Sequence, residues 1–309
     1  MKHKVLVAPS SFASVDRTPL ERLLQSGVEV IMNPYGRKLT KEELLELLPG
    51  VSGILAGLEP LNREVLEKSQ LKVISRCGVG LSNVDLNAAR ELGIKVYFTP
   101  DGPTKAVAEL TVGIMLTLIR RVPEMDRALH GGEWLKLTGS QLQGKTVAII
   151  GAGRIGCTVI AMLRPFGPRI IVVDPHLKKP PDDTELLALS EALPQADIIS
   201  LHASGEHEIL GEREFQAMKA GVFLLNSGRG GLINEPALIK ALESGKVAGA
   251  WIDTFAVEPY QGPLGQFPQV VLTPHIGTYS AQCRKSMETE AVESLLAGLA
   301  GKSGGACPL

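Results

Sequence analysis

Three polar side chains stand where anion and proton chemistry would need them. Arg229 sits in Asn226-Ser-Gly-Arg-Gly230, Glu258 in Asp253-Thr-Phe-Ala-Val-Glu-Pro259, and His275 in Thr273-Pro-His-Ile-Gly277. A guanidinium offers a planar fork that fits a carboxylate. An imidazole exchanges a proton near neutral pH. A carboxylate beside that imidazole favours its charged form. Together these are a substrate anchor, an acid/base and a partner that tunes the base, as hydride chemistry on a small carbonyl or alcohol requires. Each follows an apolar run that reads as a strand, Val222–Asn226, Val247–Asp253 and Val270–Thr273. If those strands are parallel, all three residues fall on one carboxyl-terminal rim. Singly, each has a plain alternative: a structural arginine, a solvated glutamate before proline, a satisfied loop histidine. Their order on consecutive strand ends is what carries the reading.

Upstream, Gly144-Lys-Thr-Val-Ala-Ile-Ile-Gly151-Ala-Gly153-Arg-Ile-Gly156 joins a β-branched run to a helical pattern through a G-x-G-x-x-G turn. With 33 glycines in 309 residues the spacing alone is weak. Its setting between strand and helix is stronger, because helix N–H groups and dipole there meet a pyrophosphate. Gly151 allows the turn, Gly153 lets a phosphate approach the backbone, and Gly156 lets helix and strand pack closely. A second strand, Arg169–Asp174, ends in a carboxylate eighteen residues after Gly156, where a dinucleotide fold bonds the adenosine ribose hydroxyls. Asp174 would repel a 2′-phosphate, so NAD is expected rather than NADP. The plain alternative is that Asp174 merely ends a strand before Pro175.

The elements that must position these residues alternate strand and helix. Lys4–Ala8, Val28–Ile31, Gly53–Ala56, Leu71–Ser75 and Ile94–Phe98 read as strands, with helical patterns at 19–25, 41–48, 62–69 and 84–92 between them. Thr40-Lys-Glu-Glu43 reads as a capping box. Such alternation predicts a parallel sheet covered on both faces, with ligands received at the strands' carboxyl ends. Two loops there stand out, Ala56-Gly-Leu-Glu59 and Arg76-Cys-Gly-Val-Gly80; the second could hold a small anion on its N–H groups or be a simple turn. Thr99-Pro-Asp-Gly-Pro103 marks a boundary. A helix over 104–119, apolar nearly all round, is expected between layers or subunits, and the amphipathic segment 280–299 is expected to return to the first domain. The domains are therefore read as 1–99 plus 280–309, and 100–279. The tail 301–309 is expected to fray.

Length implies two domains. A hydrophobic share of 44%, a charged share of 21% and a net charge of −1 describe an ordinary globular protein with no charge-based attraction to nucleic acid or membrane. Cys77, Cys157, Cys283 and Cys307 lack metal or disulfide spacing, so no metal is expected and a reduced, cytoplasmic compartment fits. No run approaches 18 uninterrupted apolar residues, and the N-terminal run is too short for a signal peptide.

With these motifs in view, the chain resembles the D-isomer-specific 2-hydroxyacid dehydrogenases over essentially its whole length. The resemblance rests on Gly151-Ala-Gly-Arg-Ile-Gly156, Asn226-Ser-Gly-Arg-Gly230, Asp253 with Glu258-Pro259, and Thr273-Pro-His275-Ile-Gly. Cys77-Gly-Val-Gly-Leu-Ser-Asn-Val-Asp85 and Ala106-Val-Ala-Glu-Leu-Thr111 look most like the phosphoglycerate dehydrogenase branch. The resemblance implies an α/β fold of two doubly wound parallel-sheet domains, a flavodoxin-like substrate domain and a Rossmann NAD-binding domain, with a cleft between them. It implies a homodimer formed through the NAD-binding domain and a small 2-hydroxy or 2-oxo acid as substrate. It assigns substrate carboxylate binding to Arg229, proton transfer to His275, and to Glu258 a hydrogen bond favouring the imidazolium. Gly151, Gly153, Arg154, Ile155, Gly156, Asp174, His202, Ser227, Gly228 and Asp253 would bind cofactor, Asp253 at the nicotinamide carboxamide. Arg76, Gly78, Val79 and Gly80 would join Arg229 and His275 on the substrate.

Several residues depart from that pattern. Loop 56–59 has no arginine for a phosphate, and Glu59 would oppose one if it faced the cleft, which argues against 3-phosphoglycerate. Ser82 replaces a frequent aspartate. His202-Ala-Ser-Gly-Glu-His-Glu208 is unlike the usual Leu/Pro-rich loop. Glutamate at 258 argues against formate dehydrogenase. The rival reading is an NAD(H)-sensing interaction protein of the same fold, similar to the family's corepressors.

Overall fold

Short runs of β-branched and apolar residues bury themselves as parallel strands, and the structure, a computed structural model, describes residues 3–205 and 207–302. The expected frayed tail from residue 303 with Cys307, together with Glu206, lies outside the described residues. The chain divides into two units, Met1–Ala106 with Thr278–Leu309, and Val107–Gly277.

In the first unit β1 (Lys4–Val7), α1 (Thr18–Gln25), β2 (Glu29–Met32), α2 (Lys41–Leu47), β3 (Gly53–Ala56), α3 (Arg63–Glu67), β4 (Val73–Arg76), α4 (Leu86–Glu91) and β5 (Lys95–Phe98) alternate as the pattern predicts. The strands form a parallel sheet in the order β2-β1-β3-β4-β5. The expected capping box forms: Thr40 Oγ1 accepts from Glu43 N–H, and Glu43 Oε2 from Thr40 N–H. One face of the sheet closes on Leu39, Leu44, Leu48, Val65, Leu66 and Ala89.

α5 (Gly102–Ile119) carries the chain into the second unit, where it is followed by α6 (Val122–His130), β6 (Thr146–Ile150), α7 (Arg154–Leu163), β7 (Arg169–Val173), β8 (Glu185–Leu186), α8 (Leu189–Ala192), β9 (Ile198–Leu201), α9 (Glu212–Ala217), β10 (Val222–Asn226), α10 (Glu235–Glu243), β11 (Val247–Ile252) and β12 (Val270–Leu272). The sheet is parallel throughout, in the order β12-β11-β10-β9-β6-β7-β8. Order reverses between β6 and β9, the switch point at which such sheets take ligands. One face packs on Leu193, Phe215, Leu238 and Leu242, the other on Met115, Leu118, Val159, Ile160 and Leu163.

α11 (Ala281–Leu299) belongs to the first unit. Its buried Met287, Ala291, Val292 and Leu295 join Val5, Val7, Leu55 and Val73. Ser75 Oγ donates to Ala291 O at 2.8 Å, tying the helix to β4.

Three features differ from the sequence pattern. α5 begins at Gly102, because Pro103 sits in its first turn where a missing N–H costs nothing. α6 was not expected: Pro123 looks like a breaker but occupies the first turn, and no residue of the helix is buried. α5 is by length and composition apolar enough to cross a membrane. It nevertheless packs Ala108, Met115, Leu118 and Ile119 into the core of the second unit.

Candidate active site

The fingerprint turn is shaped by its neighbours. Gly151 lies at φ +91°, and a Cβ there would come within 2.5 Å of Ala203 N and 2.8 Å of His202 C, so only glycine lets the turn after β6 lie against the turn after β9. A Cβ at Gly156 would meet Gly151 O at 2.1 Å, which is the close helix–strand packing expected. At Gly153 nothing lies within 4 Å of where a Cβ would stand. Protein packing does not require glycine at 153; open space in front of the N-cap of α7 does suit a pyrophosphate. Arg154 and Ile155 open that helix. Asp174 accepts from Ala152 N–H at 2.9 Å and from His176 N–H at 2.9 Å, which fixes its carboxylate at the end of β7. These residues fit a dinucleotide.

Arg229 follows β10 on a loop held from beneath. Buried Asn226 accepts from Gly228 N–H at 3.0 Å and donates to Arg229 O at 3.0 Å. The guanidinium donates one N–H to Gly228 O at 2.8 Å and has four more to offer a ligand. Gly230 then packs on the next loop: a Cβ there would meet Phe255 C at 1.9 Å and Ala256 N at 2.1 Å. The backbone beside Arg229 thus rests directly on the segment leading to Glu258. Glu258 Oε1 accepts from Phe255 N–H at 3.0 Å, and both its oxygens lie 3.1 Å from His275 Nδ1. The side chains of His275 and Glu258 are 31% and 27% exposed, so the pair is reachable by a small ligand.

His275 adopts φ +54°, a conformation that strains a non-glycine residue by about 1–3 kcal/mol. Asp253, 1% exposed, holds it there. Asp253 Oδ1 accepts from Thr273 Oγ1 at 2.5 Å and from Ile276 N–H at 2.9 Å; Oδ2 accepts from Gly277 N–H at 3.0 Å. Trp251 Nε1–H donates to Thr273 Oγ1 at 2.8 Å, and His275 N–H to Thr273 O at 2.9 Å. Both sides of the histidine are therefore pinned to one buried carboxylate. Asp253, expected at the nicotinamide carboxamide, spends three acceptor positions on this loop and keeps room for one more donor on Oδ2.

His202 follows β9, with Ser200 Oγ 2.9 Å from Nε2 and Ser227 Oγ 3.2 Å from Nδ1. Burial pushes its imidazole down to about 4, so the neutral ring donates from one nitrogen and accepts at the other. It links the β9 turn to the loop of Ser227, Gly228 and Arg229. Ser200, Trp251 and Thr273 were not singled out as site residues; each lies in a strand or motif where it reads as core or turn. Of the second unit's expected residues, the structure thus gathers Arg229, Glu258, His275 and Asp253 through successive loop contacts, with Gly151, His202 and Ser227 at the adjoining switch point.

In the first unit, Arg76 ends β4 with its guanidinium donating to Cys77 O. Gly78 N–H donates to Thr99 Oγ1 at 2.7 Å, which removes it from anion binding. Among the described residues Val79 and Gly80 N–H make no such bond. Glu59 does not point outward: it is buried and accepts from Gly57 N–H at 2.6 Å, with burial raising its carboxyl above the usual range. The expected repulsion of a phosphate by Glu59 therefore weakens, while the missing arginine stands. Cys77, Cys157 and Cys283 are free thiols, and no metal-holding cluster occurs among the described residues.

The profile of the D-isomer specific 2-hydroxyacid dehydrogenase NAD binding domain matches residues 112–277. The chain is 38% identical over 277 residues to the D-3-phosphoglycerate dehydrogenase of Methanocaldococcus jannaschii, covering 85% of this chain and 53% of that one. It is 36% identical over 268 residues to the hydroxypyruvate reductase of Thermotoga maritima, covering 83% and 88%. The chain therefore spans about half the length of the phosphoglycerate dehydrogenase but most of the reductase. Its structure is similar to that of the TT0316 protein from Thermus thermophilus, with a TM-score of 0.90, 36% identity, and 99% and 100% of the two chains covered.

The His202 environment has a pH consequence. Its proton affinity falls from 6.5 to about 4 on folding, so between those values the unfolded chain binds more proton. The stability from the neutral buried ring is complete above 6.5, is lost as pH falls through this window, and levels off below about 4. Urea midpoints measured across the window should fall less steeply in His202→Asn than in the wild type; parallel curves would count against the buried neutral ring.

Proposed function

We propose that this chain, which belongs to the D-isomer specific 2-hydroxyacid dehydrogenase family, is an NAD-dependent oxidoreductase of a short D-2-hydroxy acid or its 2-oxo acid, such as glyoxylate or hydroxypyruvate. The observation that carries the reading is the Glu258–His275 pair held beside the Arg229 loop at one rim of a dinucleotide-binding sheet.

Gly151, Gly153, Arg154, Ile155 and Gly156 would receive the pyrophosphate, and Asp174 the adenosine ribose, with His202, Ser227, Gly228 and Asp253 along the remainder. Bound there, the nicotinamide supplies or accepts the hydride. Arg229 binds the substrate carboxylate and draws charge toward the carbonyl oxygen. His275 delivers a proton from Nε2 to that oxygen in reduction, or takes the hydroxyl proton in oxidation. Glu258 on Nδ1 fixes the ring's orientation, so that Nε2 faces the substrate oxygen. For the first unit, Val79 and Gly80 are proposed to bind the substrate carboxylate through N–H groups, with Arg76 nearby. A substrate lacking phosphate is favoured because loop 56–59 carries no arginine.

A homodimer through the second unit belongs to the same proposal. α6 buries none of its residues, and Val122 and Leu129 on it and Trp134 just after it are 45%, 57% and 78% exposed, apolar side chains suited to cover by a second copy. Sedimentation velocity should show a dimer that Leu129→Asp with Trp134→Glu splits; a wild-type monomer at micromolar concentration would overturn this part. A cytoplasmic location is proposed from the free thiols.

Assay of NADH oxidation against a panel of short 2-oxo acids tests the activity. At least one should turn over, and His275→Ala should lower turnover by about 10²–10⁴-fold with NADH affinity nearly intact. Undiminished turnover in that variant removes the role of His275. Tight NADH binding with no 2-oxo acid reduced favours the rival, an NAD(H)-sensing interaction protein.

A further inference from the structure

Glu258 is held by more than His275. The turn that bears it, 255–260, closes on itself in two ways: Phe255 N–H donates to Glu258 Oε1 at 3.0 Å, and the rings of Phe255 and Tyr260 stack with centroids 4.3 Å apart and planes 20° apart. The stacked pair lies on the core of the second unit. The Tyr260 side chain adds hydrogen bonds outside this closed turn to those that Glu258 makes with His275. Tyr260 Oη donates to Glu235 Oε1 at 2.9 Å and accepts from Leu264 N–H at 3.1 Å.

Glu235 opens α10, whose Ala237, Leu238, Ala241 and Leu242 are buried against the sheet. The anchor is therefore a fixed body, while the 255–260 turn is a loop. Burial pushes the Tyr260 phenol up to about 12, so the donor stays protonated across the working range. Without the hydroxyl, the turn would keep its internal stack and its contact with Gly230 but lose its hydrogen bond to α10, and the Glu258 carboxylate would shift relative to His275. Among the described residues no hydrogen bond or ring contact joins Tyr260 to His275 or Arg229, which separates it from the proton-handling groups.

We infer that Tyr260, braced on Glu235, is a positioning residue that sets the Glu258 carboxylate against His275 Nδ1. The inference rests on the functional reading above, in which that contact matters for turnover. Displacements of about 1 Å in such a constellation can cost up to 10²-fold in rate, so loss of one brace should cost roughly tenfold.

Tyr260→Phe keeps the ring against Phe255 and removes only the hydroxyl. It should lower kcat for 2-oxo acid reduction about tenfold with KM for NADH unchanged. Glu235→Leu, which breaks the same brace from α10, should reproduce the loss, and Glu235→Gln, which keeps an acceptor, should restore it. In a Glu258→Gln background Tyr260→Phe should add nothing, because its effect passes through Glu258. Wild-type kcat in Tyr260→Phe, or the same tenfold loss persisting in the Glu258→Gln background, overturns the inference. If the wild-type chain reduces no 2-oxo acid, the functional reading fails by itself and the brace is read by NMR. The His275 ring resonances should then shift in Tyr260→Phe and Glu235→Leu but not in Glu235→Gln; unshifted resonances in the first two overturn it.

Discussion

The candidate site depends on one buried carboxylate. Asp253 stands at the end of the central-to-edge strand β11, almost fully removed from solvent, and takes hydrogen bonds from the Thr273 hydroxyl and from the N–H groups of Ile276 and Gly277. A buried carboxylate is costly unless donors surround it. Here the donors come from both sides of His275, so satisfying the charge and fixing the histidine are the same event. The left-handed backbone of His275 persists because the loop on either side has no better place to go. Trp251 extends the network inward, bonding Thr273 from near the carboxyl-terminal end of β11. The imidazole is thereby referenced to the sheet rather than to a loose loop.

Around that centre, neighbouring loops are held by contacts too close for a side chain. Gly230 sets the Arg229 loop on the backbone of Phe255 and Ala256, and Gly151 sets the fingerprint turn on His202 and Ala203. Parallel strand order puts β6 and β9 side by side at the switch point and β10, β11 and β12 beyond them. Residues distant in the chain thus meet in sequence along one rim: cofactor turn, His202, Ser227, Arg229, Glu258, His275. The chemistry proposed for them follows from that order together with membership of the family.

Much of this was legible beforehand, for identifiable reasons. The strand–turn–helix at 146–163 could be read because Gly151 and Gly156 answer to backbone contacts that tolerate nothing else. Arg229, Glu258 and His275 could be read because each lies on the loop after a strongly apolar strand, and parallel pairing brings those loops to one rim. What could not be read depends on rotamers and on long-range partners. Glu59 could as well have faced outward; only the structure shows it folded onto Gly57. Tyr260 and Glu235 lie 25 residues apart and each looks like an ordinary surface residue. Gly78 looked like an anion donor until Thr99 was seen to take its N–H. α6 hid because Pro123, at its first turn, reads as a breaker, although Val122, Met125 and Leu129 recur at helical spacing.

The dependence of the site on Asp253 is tested most directly by Asp253→Asn, assayed in parallel for 2-oxo acid reduction and for NADH binding. An asparagine amide would turn an N–H toward one of the loop donors, leaving the His275 segment unpinned. Turnover should fall by about 10²-fold while the NADH dissociation constant changes little. Loss of NADH affinity equal to the loss in turnover would contradict this, and would return Asp253 to the role of a cofactor ligand alone.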